Sequence, residues 1–434
     1  MKSAVLLLAV IATARANFNP LDGITDIRKK STEAAAKALE GLKNIGEDAL
    51  KSIPKTPDDL KVRRKTIEQM VKEQGYKVET YNDVKTEDGY ILTMYRIPEG
   101  RDGKKPTKTV LLQHGLMACC TDWLLFGKER SLGYILADLG FDVWLANCRG
   151  NYYSRNHTKY NPDKDAAFWA FSWHEIGMYD IPAMIDYILA KTGEKQIYHV
   201  GHSQGTTSFY VMTSMRPEYA DKITHHVSLA PIGFMNHLKS PLIQLFAGPS
   251  DQLGAVLKAV GTGEFMAEDS AINFITDIYC SNLGLNKIIC KNALFMACGF
   301  NDKQMPIEEI PIIMAYYPSS VATNQMVHYG QEVKSKRFCQ FDFGFVKNNK
   351  IYMGRLTPPD YELEKITANM TMIYSENDWL SHPIDVERLE NAMVNANVKK
   401  ILAPLDKCNH LDYLFGKDAA KTIYPVVIKI LQEN

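Results

Sequence analysis

The chain has 434 residues, 46% of them hydrophobic, enough for one large α/β domain with an insertion or for two domains. Fifty Lys and Arg balance fifty Asp and Glu, a formal net charge of zero, which excludes the basic footprint of a nucleic-acid binder or a polybasic membrane clamp. Eight cysteines at this length do not make a disulfide scaffold, and no Cys/His cluster has zinc spacing, so neither metal nor cofactor is expected.

Met1-Lys2-Ser3, the apolar run Ala4 to Ala12 and the Ala14-Arg15-Ala16 cleavage pattern read as a secretory signal peptide over residues 1–16. The run is too short to span a bilayer as a helix, and no later stretch has about 18 uninterrupted apolar residues. A soluble mature protein without a transmembrane segment is expected, exported to an extracellular space or, alternatively, to the lysosome. Residues 17–65 form a separate extension. Ile24, Ile27, Ala34, Ala38, Leu42, Ile45, Ala49 and Ile53 recur near helical spacing until Pro54 and Pro57. Small alanines dominate that face and no aromatic residue anchors it, which favours a solvated or loosely docked helix over a lipid-surface one.

The core pattern follows. Tyr76 to Val84 and Tyr90 to Ile97 alternate around Glu87-Asp88-Gly89, predicting a β-hairpin. Thr109 to Gln113 and Asp142 to Ala146 read as buried strands around a helix near Ser131 to Leu139. A further helix spans Pro182 to Ala190, then a strand Gln196 to Val200, a helix Thr206 to Met215 and a strand Val227 to Ala230. Strands alternating with helices predict parallel βαβ units. Residues 233–365 are Met- and Phe-rich, proline-interrupted and helical, with little strand signal. Parallel-strand grammar returns at Met370 to Tyr374 and Lys399 to Leu402. The expected layout is an α/β core over 66–232 and 366–434, interrupted by a helical cap at 233–365. Cys280 and Cys290 flank a Leu/Ile-rich segment and are the best candidate disulfide; Cys119, Cys120 and Cys148 read as small buried hydrophobes. Two sequons offer N-glycosylation, Asn156 in a polar loop and Asn369 at a strand opening.

Between the strand Gln196 to Val200 and its helix lies Gly201-His202-Ser203-Gln204-Gly205, the Gly-x-Ser-x-Gly nucleophile elbow of α/β-hydrolases. A serine hydroxyl needs a base, and the base needs a carboxylate to fix its tautomer. In this fold acid and histidine follow the serine in that order. Asp378, in the turn after Met370 to Tyr374, is preferred over Glu376 at the strand end and Asp385 further on. His410, in Cys408-Asn409-His410-Leu411-Asp412, is preferred over His382 as the base; the remaining histidines precede the acid. The amides of Gln204 and of Leu116, in His114-Gly115-Leu116, are the expected oxyanion donors.

The chain resembles the acid lipase family that includes gastric lipase and lysosomal acid lipase. The resemblance runs from about Thr86 to the C-terminus, through Thr86-Glu87-Asp88-Gly89-Tyr90-Ile91-Leu92, Leu112-Gln113-His114-Gly115-Leu116 and Asn147-Cys148-Arg149-Gly150-Asn151. It continues through Tyr179-Asp180-Ile181-Pro182-Ala183, the Gly201 to Thr207 block and Asn409-His410-Leu411-Asp412. It implies an α/β-hydrolase fold with a mostly parallel sheet and an inserted helical cap, the triad Ser203, Asp378 and His410, and an oxyanion hole at Leu116 and Gln204. It further implies a lid within 233–365, a Cys280–Cys290 disulfide and a free thiol at Cys298. The extension before about residue 65 is longer than the family's lead, so its role does not transfer. The expectation is a secreted serine hydrolase cleaving triacylglycerols or similar lipid esters at an oil–water or membrane interface. A carboxylesterase or cholesteryl ester hydrolase with the same triad is the alternative. A non-catalytic lipid-binding protein is the reading from another class, and the presence of both serine and histidine argues against it.

Overall fold

The computed structural model describes residues 64–248, 263–266 and 287–434. The expected signal peptide, residues 17–63 of the extension and Cys280 lie outside the described residues. Helix α1 (Ile67–Glu73) starts at Thr66, whose hydroxyl accepts from the Gln69 amide while the Gln69 side chain accepts from the Thr66 amide. Strands β1 (Glu79–Lys85) and β2 (Tyr90–Ile97) form the expected antiparallel hairpin. Then come β3 (Lys108–Gln113), α2 (Leu132–Asp138), β4 (Phe141–Leu145), β5 (Asn156–His157), α3 (Ile181–Thr192), β6 (Ile197–His202), α4 (Gln204–Met215) and β7 (Ile223–Leu229). The inserted stretch carries α5 (Pro241–Phe246), β8 (Glu264–Phe265), α6 (Lys287–Cys298), α7 (Ile310–Tyr316), β9 (Val321–Ala322), α8 (Thr323–Ser335) and α9 (Phe345–Ile351). The core resumes with β10 (Asn369–Tyr374), α10 (Pro383–Ala392), β11 (Asn397–Leu402), α11 (Asp412–Phe415) and α12 (Ala419–Glu433).

The main sheet runs β1-β2-β4-β3-β6-β7-β10-β11, with β5 on the edge of β2. From β4 through β11 every neighbouring pair is parallel; the β1–β2, β2–β4 and β2–β5 pairs are antiparallel. This is the α/β-hydrolase fold. The sequence dictates which strands lie inside. β4 and β6 are buried at every position, as strands covered on both faces must be, whereas β11 alternates and sits on the edge. Val110 and Leu112 of β3 pack into one hydrophobic cluster with Val143, Val200 and Val427, while Leu111 between them packs into the other with Trp144, Ile185 and Phe209. The period-two alternation thus places helices on both faces.

Three blocks on which the family resemblance rests meet at one buried cation. The Arg149 guanidinium donates to both Asp88 oxygens at 2.6 and 2.9 Å and, through Nε, to Asp180 Oδ1 at 2.7 Å, while the Arg149 amide donates to Asp180 Oδ2. Hairpin turn, the loop after β4 and the start of α3 are locked together. Asp180 pays for its burial with a pKa pushed up to about 6, although Arg149 opposes the shift.

Among the described residues the 233–365 stretch holds little strand, Glu264 and Phe265 pairing with Ala322 and Val321. One local expectation is corrected. Asn156 is not in a loop but opens β5, opposite Ile91, with its side chain exposed.

Glu332 of α8 is fully buried and neither carboxyl oxygen is hydrogen-bonded. Burial pushes its pKa well above the ordinary 4.5, against a smaller pull from the Cys339 backbone. Above the ordinary value the native state therefore holds a proton that the unfolded chain releases, and this residue's contribution to stability falls as pH rises. Glu332→Gln removes that term, so the variant should gain stability relative to wild type as pH rises above the ordinary carboxyl value of 4.5 in denaturant titrations. A difference independent of pH would refute the assignment.

Candidate active site

β6 delivers Ser203 into a turn that the following helix closes. Ser203 has φ 54° and ψ −120°, strained for any side-chain-bearing residue. The turn exists only because its neighbours are glycines. A Cβ on Gly205 would lie 2.7 Å from the Gln113 carbonyl oxygen, and one on Gly201 would lie 3.0–3.1 Å from the Gly205–Thr206 backbone. A Cβ on Gly115, in the loop after β3, would meet the Ser203 Cβ at 3.0 Å. The Ser203 amide donates to the Leu229 carbonyl of β7 at 3.0 Å, and the Thr206 hydroxyl donates to the Ser203 carbonyl at 2.7 Å.

The fold brings Ser203, His410 and Asp378 together. Ser203 Oγ and His410 Nε2 are 2.7 Å apart, and His410 Nδ1 lies 2.8 and 3.0 Å from the two Asp378 oxygens. The carboxylate fixes the proton on Nδ1, which leaves Nε2 to accept from the serine hydroxyl. Asp378 is fully buried, and its Oδ1 also accepts from the Leu380 and Ser381 amides at 2.8 Å each. Those donors sit in the turn itself, which is why this carboxylate faces inward. Glu376 is exposed, and Asp385 is occupied by the His237 amide and ring at 2.8 Å each. His382 accepts from the Ile384 amide at the start of α10.

Residues that the sequence alone did not single out hold this arrangement in place. His202 Nε2 donates to the His410 carbonyl at 2.8 Å, and burial drives its pKa well below 6.5, so it is a neutral prop. The carbonyl of Cys298, the last residue of α6, accepts from the His410 amide at 3.1 Å and from the Trp379 amide at 3.3 Å. One cap carbonyl therefore links the base loop to the acid turn. Asn409 completes the loop: its Nδ2 donates to the Gly299 carbonyl, and its Oδ1 accepts from the Leu411 and Asp412 amides. The other buried histidines are spent elsewhere, His114 on the Cys148 amide, His199 on His226, His225 on Thr371, and His328 stacked on Trp173.

Ser203 and His410 open into a pocket lined mainly by apolar groups: Leu116, Met117 and Ala118 from the loop after β3, Ile232, Met235 and Ile243 from the chain that follows β7, and Ala297, Cys298, Tyr317 and Tyr329 from further along the insertion. Leu116 is thus beside the serine, and Gln204 is the first residue of α4, where an amide has no intrahelical acceptor. Asp122 is the acidic member of the lining; burial alone pushes its pKa well above the ordinary 3.8, which favours the uncharged acid. Cys119, Cys120, Cys148, Cys298, Cys339 and Cys408 are buried free thiols, and Cys290 is not among them. Among the described residues no group of His, Cys, Asp and Glu could hold a metal.

Residues 67–127 match the partial α/β-hydrolase lipase region, and residues 108–255 match the α/β hydrolase fold. A crystal structure from Sulfolobus solfataricus shares the fold with a TM-score of 0.54 at 16% identity, covering 82% of this chain and 93% of that one. The protein is therefore an ester hydrolase of the α/β-hydrolase class. Lipase 3 of Drosophila melanogaster is 41% identical over 83% of this chain and 91% of its own length. Gastric triacylglycerol lipase of Mus musculus is 35% identical over 88% and 94%, and lysosomal acid lipase/cholesteryl ester hydrolase of Macaca fascicularis 34% identical over 85% and 90%. The chain belongs to the gastric and lysosomal acid lipase family.

Gly299, at φ +108°, touches the acid turn so closely that a Cβ would lie 2.2 Å from the Asn377 carbonyl oxygen. Gly299→Ala should separate the cap from the Asp378 turn and lower ester turnover by about tenfold or more, since each 1.4 kcal/mol lost at the site is a factor of ten. Wild-type kcat in a folded Gly299→Ala protein would show that the contact does not support the site.

Proposed function

We propose that this protein is a secreted lipase that hydrolyses long-chain lipid esters through an acyl-enzyme, with Ser203 as nucleophile, His410 as general base and Asp378 as the carboxylate that orients it. The observation that carries the reading is the unbroken chain of hydrogen bonds Asp378–His410–Ser203 at the edge of an apolar pocket. Ser203 Oγ attacks the ester carbonyl while His410 Nε2 takes its proton. The imidazolium that forms is stabilised by Asp378. The Leu116 and Gln204 amides receive the oxyanion. Collapse passes the proton from His410 to the leaving alcohol, and water repeats the sequence on the acyl-serine.

An apolar lining suits acyl chains. The names of the mouse and macaque relatives point to triacylglycerols and cholesteryl esters, so a sterol ester is the second substrate class carried by this reading. In the same proposal, residues 1–16 direct export to an extracellular space, with the lysosome as alternative, and 233–365 form a cap with a lid over the 66–232 and 366–434 core. Cys280 and Cys290 pair within that cap. Asn156 and Asn369, both exposed, carry glycans.

Ser203→Ala should lower hydrolysis about 10⁴-fold or more while leaving circular dichroism unchanged. A phosphonate ester probe should label Ser203; labelling at another residue, or full activity in a folded Ser203→Ala protein, would overturn the mechanism. Emulsified long-chain triacylglycerol assayed beside short soluble esters separates lipase from carboxylesterase. Deleting residues 17–53, which carry no catalytic feature, should leave turnover of soluble esters unchanged, and its loss in a folded product would give the extension a role in the site.

A further inference from the structure

Six large apolar side chains are exposed within fourteen residues on the outside of the insertion: Phe343 (38%), Phe345 (71%), Val346 (75%), Ile351 (50%), Met353 (98%) and Leu356 (57%). The other exposed large hydrophobics of the described residues lie scattered over the chain, whereas these belong to α9 and the turns on either side of it. Apolar side chains exposed this densely along one stretch mark a surface that meets an occupant. The knob is not a loose loop. Asn348 is fully buried beneath it, accepting from the Phe343 amide at 3.0 Å and donating to Asp342 Oδ1 at 2.7 Å and to the Leu356 carbonyl at 2.9 Å. Tyr352 donates to the Phe341 carbonyl at 2.7 Å, and Gln331 of α8 bonds both the amide and the carbonyl of Asp342. Met353 at the tip has φ 50°, a strained setting for a side-chain-bearing residue that holds its thioether out in water. The polar Asn348 is therefore turned inward while Phe345, Val346 and Met353 are turned outward.

Charge says what the occupant is. Lys347, Lys350 and Arg355 surround the apolar tip, all exposed, and no Asp or Glu occurs from Phe343 to Pro359. The flanking acids are already engaged, Asp342 with Asn348 and Asp360 with Arg337. Long basic side chains around a protruding apolar tip match the boundary of a bilayer, where the tip enters the acyl region and the cations meet anionic headgroups. The knob contributes no residue to the Ser203 pocket. It touches the catalytic fold through Gln340, which contacts Met215 at the far end of α4, and through Gln331, two residues beyond the pocket residue Tyr329.

We propose that Phe343–Leu356 is a docking element that holds the protein on an anionic phospholipid surface, separate from the pocket that takes the ester; the choice of a lipid surface as occupant rests on the lipid-ester reading above. The test uses the full-length chain carrying Ser203→Ala, so that binding is measured without turnover. It is sedimented with vesicles of phosphatidylcholine alone or of phosphatidylcholine with phosphatidylserine. Replacing Phe345, Val346 and Met353 together by serine should weaken binding to both vesicles by about tenfold or more, the scale set by apolar area withdrawn from lipid. Replacing Lys347, Lys350 and Arg355 by glutamine should weaken binding only where phosphatidylserine is present, and added salt should reproduce that loss. With Ser203 restored, both triple variants should hydrolyse a short soluble ester at the wild-type rate, which shows that they fold. Unchanged vesicle binding in the serine variant, no vesicle binding by the parent protein, or a patch that instead closes a dimer in sedimentation velocity would each overturn the proposal. Failure of ester hydrolysis with intact vesicle binding would overturn the lipase mechanism and leave this element standing.

Discussion

The site depends on one backbone constraint, the left-handed setting of Ser203 at the exit of β6. A residue held there costs on the order of 1–3 kcal/mol, so the turn persists only where its surroundings over-determine it. They do so from three sides. β7 holds the serine amide through Leu229, Thr206 holds its carbonyl, and the chain after β3 fills the space where Gly205 and Gly115 have no side chain. Sheet order matters for the same reason. β6 lies between β3 and β7, so the strand that carries the serine is flanked by one that supplies the Leu116 loop and one that anchors the serine itself.

The acid and the base reach this point on separate loops, 32 residues apart in sequence, and both are tied to the cap. The last carbonyl of α6 receives one hydrogen bond from the turn after Asp378 and one from His410 itself, and Gly299 fits against Asn377 with no room for a side chain. The insertion is thereby more than a cover. The end of its helix α6 is part of the frame around the acid turn and the base loop. A shift of α6 acts on the base through the His410 amide and on the acid turn through the neighbouring Trp379 amide, because both donate to the same oxygen.

Much of this was legible in the sequence because the chemistry is bound to residue type. Gly-x-Ser-x-Gly after an apolar run, a carboxylate after a late strand and a histidine after the last one place Ser203, Asp378 and His410 within bonding distance of one another. Alternating strand and helix patterns gave the order of elements for the same reason, since burial on both faces writes continuous apolar runs. What was not legible works through backbone or through shape. No residue type announces that the Cys298 carbonyl will accept two amides, or that His202, adjacent to the nucleophile, will hold the base by its backbone. Arg149 lies inside a block quoted for its resemblance, yet its two carboxylate partners, 61 and 31 residues away, appear only in three dimensions. The apolar residues of 343–356 look like core in one dimension, because exposure is not written in composition.

Zero net charge and a neutral isoelectric point say nothing of the pH at which the fold is most secure, because the groups that decide it are buried. Two sets oppose each other. Asp180, Asp412, Asp122 and Glu332 all have raised pKa values through burial, to about 6 and about 7 for the first two, so each favours the native state less as pH rises through its window. His114, His199 and His328 are held neutral by burial, with pKa values lowered from 6.5 to about 4, about 3 and about 3. Protonation of these rings is available to the unfolded chain first, so they favour the native state less as pH falls below 6.5. Between the ordinary carboxyl range and the ordinary histidine value the two trends cancel in part. Above it only the carboxylic acids still titrate, and their effect is loss of stability. These two sets of buried groups therefore pull stability in opposite directions as pH changes, a property that arises from where the polar groups sit and not from how many there are.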